Sequence, residues 1–161
     1  MEKTSILAGI EKEIYEILHN ILTRAGIRAK IDVREFKKDE ERNGIYVNIK
    51  TRSSDGLLIG KKGGTLRDIQ YIIKIILSKK YDSLPFIFLD VGGYRLRREN
   101  YVKKKAIAIA KVVKEMGREM AMDPLTGREV KIVIKTLEEI DGVTAYIIGK
   151  GRNKNVVISP E

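Results

Sequence analysis

The chain has no cysteine and no tryptophan, and it holds one histidine and three prolines among 161 residues. Without cysteine there can be no disulfide, no thiolate metal site and no cysteine nucleophile, and the chain suits a reducing compartment. A single histidine cannot build a multi-histidine metal centre, and nothing around His19 supports a Ser-His triad. Its neighbours Ile17, Leu18, Ile21 and Leu22 place it on an amphipathic helix instead. Long apolar runs are also missing. The longest stretch free of Asp, Glu, Lys and Arg is Gly142–Gly149, far too short to cross a bilayer. The N-terminus carries Glu2, Glu11 and Glu13 and lacks the apolar centre of a signal peptide. A soluble, cytoplasmic chain without membrane insertion is expected.

What is present is charge. Charged residues make up 34% of the chain and apolar ones 43%, a globular composition, and the length suits one domain or two small ones. The net charge of +10 is unevenly spread. Residues 1–56 carry 11 basic and 10 acidic side chains, residues 57–118 carry 15 and 5, and residues 119–161 carry 6 and 7. The whole excess lies in the middle segment, the footprint of a polyanion partner. An anionic membrane surface fits less well, because no exposed apolar anchor accompanies the charge.

That segment opens with Leu57-Leu58-Ile59-Gly60-Lys61-Lys62-Gly63-Gly64-Thr65-Leu66-Arg67-Asp68-Ile69. Two glycines admit a close backbone approach, two lysines between them favour an anion, and a helix beginning just after aims its free N–H groups the same way. Roughly one Gly-x-x-Gly is expected by chance at this glycine content, so context carries the signal. A strand-like run, Ile45–Ile49, precedes the loop, and Leu66, Ile69, Ile73, Ile76 and Leu77 follow at helical spacing. Thr65 and Asp68 have the spacing of a capping box. The plainer alternative is a strand-to-helix turn with solvated lysines. A nucleotide-hydrolysing P-loop needs Gly-x-x-x-x-Gly-Lys-Ser/Thr, which this loop lacks, and no acidic cluster for Mg²⁺ lies near it. An enzyme is not expected.

Along the chain, residues 5–25 read as a helix closed by Gly26, and Ala29–Val33 and Ile45–Lys50 as two strands joined by a charged hairpin loop, Glu35–Asn43. Pro85–Val91 reads as a third strand, apolar on both sides and so central, ended by Gly92-Gly93. A long helix over about Arg95–Met116 has Val102, Ala106, Ile109, Ala110 and Val113 on its buried face. Arg97, Lys104 and Lys111 lie opposite, flanked by Arg98 and Lys105. Such a stripe serves binding or is solvated surface. After Gly117, a short strand at Glu119–Met122, a helix after Asp123-Pro124-Leu125-Thr126, and a hairpin of Val143–Ile148 and Asn155–Ser159 complete the chain. The hairpin turn, Gly149–Lys154, is basic and glycine-rich, either a plain loop or a phosphate contact.

Three runs then converge: Gly56–Leu66, Ile69-Gln70-Tyr71, and Leu89-Asp90-Val91-x-Gly93-Tyr94-Arg95-x-Arg97-Arg98. Together with the closing Gly149-x-Gly151 and Val156–Pro160, they resemble the Jag family of bacterial RNA-binding proteins, often encoded beside a YidC-type insertase. The resemblance covers roughly residues 5–160. It implies an α+β chain: a KH domain of type II order (helix-strand-strand-helix-strand with the Gly-x-x-Gly loop) at 1–93 and a small α/β R-3-H-like domain at 94–161. Three departures stand out. The Arg-x-x-x-His signature of the second domain is replaced by Val130 and Ile134, a family serine appears as Ile147, and the additional N-terminal module of many relatives has no counterpart here.

The resemblance also implies single-stranded RNA as partner, a cytoplasmic location, a role in cell elongation, division or sporulation, and pairing with a small KH protein or with itself. It calls for no cofactor or metal. The mechanism is clamping without catalysis. Gly60, Lys61, Lys62, Gly63, Gly64, Thr65 and Arg67 hold about four unpaired nucleotides, Ile59 forms an apolar wall, and Arg95, Arg97, Arg98 and Lys104 are further nucleic-acid candidates. Aromatics, at 6%, are too few for base stacking to dominate. The rival reading is a protein-interaction scaffold on a ribosomal or insertase-linked partner.

Overall fold

The structure, a computed structural model, describes residues 2–37, 43–151 and 154–161. The chain is α+β and divides into two units, Met1–Arg95 and Leu96–Glu161, each with its own core. The division falls two residues after the expected Gly93.

In the first unit, Ile10, Ile14, Leu18 and Leu22 recur at helical spacing, and all are buried on helix α1 (Glu2–Arg24). Gly26, at φ 69°, ends it. The Gly26 N–H reaches the Thr23 carbonyl at 3.0 Å and the Ile27 N–H reaches that of Leu22 at 2.8 Å, a Schellman closure that a side chain at Gly26 would strain. Strands β1 (Ala29–Lys37) and β2 (Asn43–Thr51) pair antiparallel, and β3 (Phe86–Val91) pairs parallel with β2. A parallel neighbour requires a crossover. It is supplied by α2 (Asp55–Ile59), a 3-10 turn at Lys61–Gly63 and α3 (Gly64–Ser78). Ile45, Val47 and Ile49 of β2 and Ile87, Leu89 and Val91 of β3 are fully buried with α1 and with Leu66, Ile73 and Leu77 of α3.

Three expectations need correction. β3 is an edge strand, since the sheet order is β1-β2-β3. Its second apolar row, Phe86 and Phe88, lies on the sheet face away from the core, beside Tyr46. Glu35, Phe36 and Lys37 belong to β1 rather than to the hairpin loop, whose residues 38–42 lie outside the described residues. The Thr65–Asp68 capping box does not form, because the N-cap of α3 is Gly63, left-handed at φ 74° and without a side-chain cap.

In the second unit, α4 (Tyr94–Met116), which begins in the first, buries Val102, Ala106, Ala110 and Val113, with Ile109 partly buried. They pack with α5 (Gly127–Leu137) and with a sheet ordered β4-β6-β5. Its strands are β4 (Met120–Ala121), β5 (Val143–Ile148) and β6 (Asn155–Pro160). A full capping box does start α5. The Thr126 N–H donates to Glu129 Oε2 at 2.7 Å, and the Glu129 N–H donates to Thr126 Oγ1 at 3.4 Å. The turn between β5 and β6 is described except at residues 152–153.

Candidate nucleic-acid interface

The Gly60–Gly63 loop is shaped by the chain's own packing. Gly60 sits at φ 67°, ψ −177°, a region open only to glycine, and a Cβ there would lie 2.1 Å from Thr65 Oγ1 and 2.8 Å from Thr65 N. Gly63 is left-handed and buried, and a Cβ there would meet the Tyr94 ring at 2.9 Å. The two glycines therefore let Thr65 pack against Gly60 and Tyr94 against Gly63. Between them Lys61 is exposed, while Lys62 is half-buried and left-handed at φ 52°, the one non-glycine with positive φ among the described residues. Arg67 folds back from α3, its Nη1 donating to the Lys62 carbonyl at 3.0 Å. Thr65 is exposed, Gly64 is half-buried, and Ile59 is half-buried against the core. Ile59, Gly60, Lys61, Lys62, Gly63, Gly64, Thr65 and Arg67 are thus gathered at one loop and the helix turn after it, Gly63 buried and the rest half-buried or exposed.

The base of α2 is fixed by Asp55, whose Oδ1 accepts from the Thr51 N–H at 3.0 Å and the Thr51 hydroxyl at 2.6 Å. Buried Asp90 does the same at the start of α4, accepting from the Val91 N–H at 2.8 Å and the Arg95 N–H at 3.2 Å.

Arg95 is committed to the first unit. Its Nε donates to the Leu89 carbonyl at 2.7 Å and its Nη2 to Gln70 Oε1 at 2.9 Å, and Gln70 Oε1 also accepts the Leu89 N–H at 3.0 Å. The outward N–H and C=O of Leu89, on an edge strand, are therefore both satisfied by side chains, which blunts the edge. The Arg95 guanidinium also lies 4.8 Å from the Phe88 ring centre. In the second unit Arg98 is equally engaged, its Nε donating to Glu129 Oε1 at 2.7 Å. Arg97 and Lys104 are exposed on α4. Lys105, named beside them, pairs with Asp123. The basic stripe of α4 is therefore partly neutralised.

Sequence reasoning missed an aromatic cluster on the sheet face away from the helices. All three phenylalanines of the chain lie there with Tyr46. Tyr46 and Phe88 stack at 5.8 Å and 19°, and Phe36 meets Phe86 edge-on at 6.4 Å. Arg34 lies 4.8 Å above Tyr46, a cation–π contact. Burial, followed by the negative charge of Asp90, pushes the Tyr46 hydroxyl up, so it stays protonated. The alternation Phe86-x-Phe88 was the available signal.

At the R-3-H signature positions the structure places apolar side chains in a core. Val130 is buried and Ile134 is packed against the same cluster, while Ile147 is exposed on β5. Among the described residues no group of three or more His, Cys, Asp and Glu is gathered to hold a metal, and no helix is long and apolar enough to cross a membrane.

The molecule is thus an α+β chain whose first unit presents a glycine-bounded lysine loop at the start of a helix. No family model matches it. Curated relatives do. RNA-binding protein KhpB of Clostridium symbiosum is 27% identical over 150 residues, covering 93% of this chain and 66% of the relative. KhpB of Streptococcus pneumoniae is 30% identical over 126 residues, 78% of this chain and 38% of the relative. KhpB of Bacillus subtilis is 29% identical over 134 residues, 82% and 62%. This chain is similar to these relatives, which share the name RNA-binding protein KhpB, over 78% to 93% of its length. It spans between 38% and 66% of the length of these relatives.

Proposed function

We propose that this chain binds single-stranded RNA without catalysis, through a KH domain formed by the first unit. Gly60–Gly63 admits the sugar-phosphate backbone, Lys61 and Lys62 contact phosphates, and the first turn of α3 adds N–H donors and the charge of Arg67. About four unpaired nucleotides lie along the loop with Ile59 as an apolar wall. The observation that carries this reading is the loop itself: an exposed lysine and a left-handed lysine are held between two glycines that Thr65 and Tyr94 fix in place. The relatives' shared name supports RNA as the ligand. On this reading Arg97 and Lys104 add weaker contacts and Arg95 and Arg98 act through the fold. The R-3-H-like second unit binds little through its signature helix, because Val130 and Ile134 face a core.

The family reading extends to a cytoplasmic regulator of cell elongation, division or sporulation, linked functionally to a YidC-type insertase. The test is fluorescence-anisotropy binding of an unstructured RNA to the wild type and to Lys61→Asp/Lys62→Asp across a salt series. A large loss in the variant supports the clamp, and equal binding sinks it.

A second reading, a protein-interaction surface, is favoured by one observation. Tyr71, Ile72 and Ile75 of α3 are 65%, 46% and 40% exposed, an apolar patch on the helix beside the clamp. It suits a second copy of this chain or a small KH protein.

A further inference from the structure

Lys30 of β1 and Lys50 of β2 are register partners, directly opposite across an antiparallel pair. Like charges at such a position destabilise a sheet. Arg28, just before β1, and Arg52, just after β2, flank the same pair, and the four cations line one open cleft of about 620 Å³ together with Ser53. No carboxylate lines this cleft, and among the described residues none of the four cations has a carboxylate partner. The nearest acids are otherwise placed. Asp55 is tied to Thr51, and Asp32 stands one row further along β1. Such a pair is unfavourable to the sheet alone, and a bound anion would offset it.

We propose that this cleft is a second phosphate-binding site for RNA, continuing the track that begins at Gly60–Gly63. The inference rests on the RNA-binding reading above. The cleft loop and the clamp loop stand at the two ends of α2. At 1.5 Å per residue, Ser54 and Gly60 are separated by about 9 Å along the helix. The clamp itself takes up about four nucleotides, so the phosphates that fill the nearby cleft are those of a longer strand.

The experiment compares an RNA of roughly four nucleotides with one of about ten. Both are titrated by anisotropy across a salt series against the wild type, Lys30→Thr/Lys50→Thr and Arg28→Ser/Arg52→Ser. The longer RNA is expected to lose affinity in both variants, with a salt slope shallower by about 1.4, two phosphates at about 0.7 each, and the shorter RNA to bind as before. Lys30→Thr/Lys50→Thr is also expected to melt at a higher temperature, because the cross-strand repulsion is gone. Unchanged binding of the longer RNA overturns the cleft and leaves the clamp standing. Loss of both RNAs in parallel, or loss with a lower melting temperature, assigns the cations to the fold and overturns the cleft as well. A wild type that binds neither RNA defeats the RNA reading, and the cleft falls with it.

Discussion

Gly63 lies against the ring of Tyr94, so close that a Cβ at Gly63 would stand 2.9 Å from Cε1. The glycine that bounds the clamp is thereby tied to the residue that starts α4. Gly63→Ala is expected to cost about 1–3 kcal/mol from its left-handed backbone, with the ring contact added. Gly60→Ala is expected to cost more. Its Cβ would meet the Thr65 backbone N at 2.8 Å, and a backbone atom cannot rotate away as Thr65 Oγ1 can. Urea denaturation of the two variants checks the order, and a Gly60→Ala protein as stable as wild type removes the packing argument. RNA loss in such variants therefore reports folding as well as binding, which makes the lysines the cleaner probes.

Much of this arrangement was legible in the residues. The four-residue spacing of Ile10, Ile14, Leu18 and Leu22 and the stop at Gly26 correspond to α1 and its closure. The long basic helix and the closing hairpin also stand where they were expected. β3 misled because Phe86-Ile87-Phe88-Leu89 is apolar on both faces, as in a central strand. Here one face is covered by helices and the other by its own aromatic and guanidinium neighbours. Thr65 and Asp68 had capping spacing, but the left-handed Gly63 already occupies the N-cap, whereas Thr126 and Glu129 form the box because Thr126 is extended at ψ 158°. Register was beyond reach: nothing local says that Lys30 faces Lys50. Nor does composition say that Arg95 and Arg98, expected as nucleic-acid contacts, are spent on Leu89 and Glu129.

Arg98 and Glu129 form the most buried ion pair among the described residues. Burial works to raise the Glu129 carboxyl, but the Thr126 N–H, Arg98 and the Thr126 hydroxyl outweigh it and hold the group below its ordinary value of 4.5. A depressed carboxylate contributes stability that is complete above about 4.5 and is lost as pH falls through the lower folded value. Thermal melts between pH 6 and about 3 are expected to show this loss for the second unit, and Glu129→Gln to flatten it. Arg98→Met leaves a nearly buried carboxylate with fewer donors and is expected to cost about 2 kcal/mol or more at neutral pH. A pH profile identical in wild type and Glu129→Gln refutes the assignment.

Gln70 and Arg95 satisfy the two edge groups of Leu89 and bond to each other. Arg95→Lys is not expected to substitute, since an ammonium lacks the planar fork that reaches both oxygens while covering Phe88. Gln70→Leu and Arg95→Met should each destabilise by about 1–3 kcal/mol, and the double variant by less than the sum. Additive losses in a double-mutant cycle show that the two side chains act separately.

The exposed patch of Tyr71, Ile72 and Ile75 makes a different demand. If it covers a second copy, light scattering of the wild type should give a mass that rises with concentration, and Tyr71→Glu/Ile75→Glu should hold the protein at one chain. If a small KH protein is the occupant, the wild type stays monomeric alone and the same variant loses that partner in a pull-down with the purified protein. A chain that is monomeric and binds no such partner leaves the patch without this role.

Salt dependence separates the ways this chain could hold RNA. Lys61 is exposed and Lys62 is left-handed, and aspartate tolerates that backbone better than lysine does, so Lys61→Asp/Lys62→Asp is expected to fold as the wild type does. Each phosphate neutralised on a single strand steepens the log–log salt slope by about 0.7. A clamp whose cations are Lys61, Lys62 and Arg67 therefore predicts a slope near −2.1, about 0.7 for each, and removing both lysines a slope shallower by about 1.4 with a large loss of affinity at low salt. A wild-type slope much steeper than about −2.1 on a longer RNA requires cations beyond the loop, and the Lys30–Lys50 cleft and the α4 residues Arg97 and Lys104 then compete to supply them. Arg97→Ser/Lys104→Ser decides between those two. If that pair changes the slope and Lys30→Thr/Lys50→Thr does not, the added cations are those of α4; the opposite pattern assigns them to the cleft.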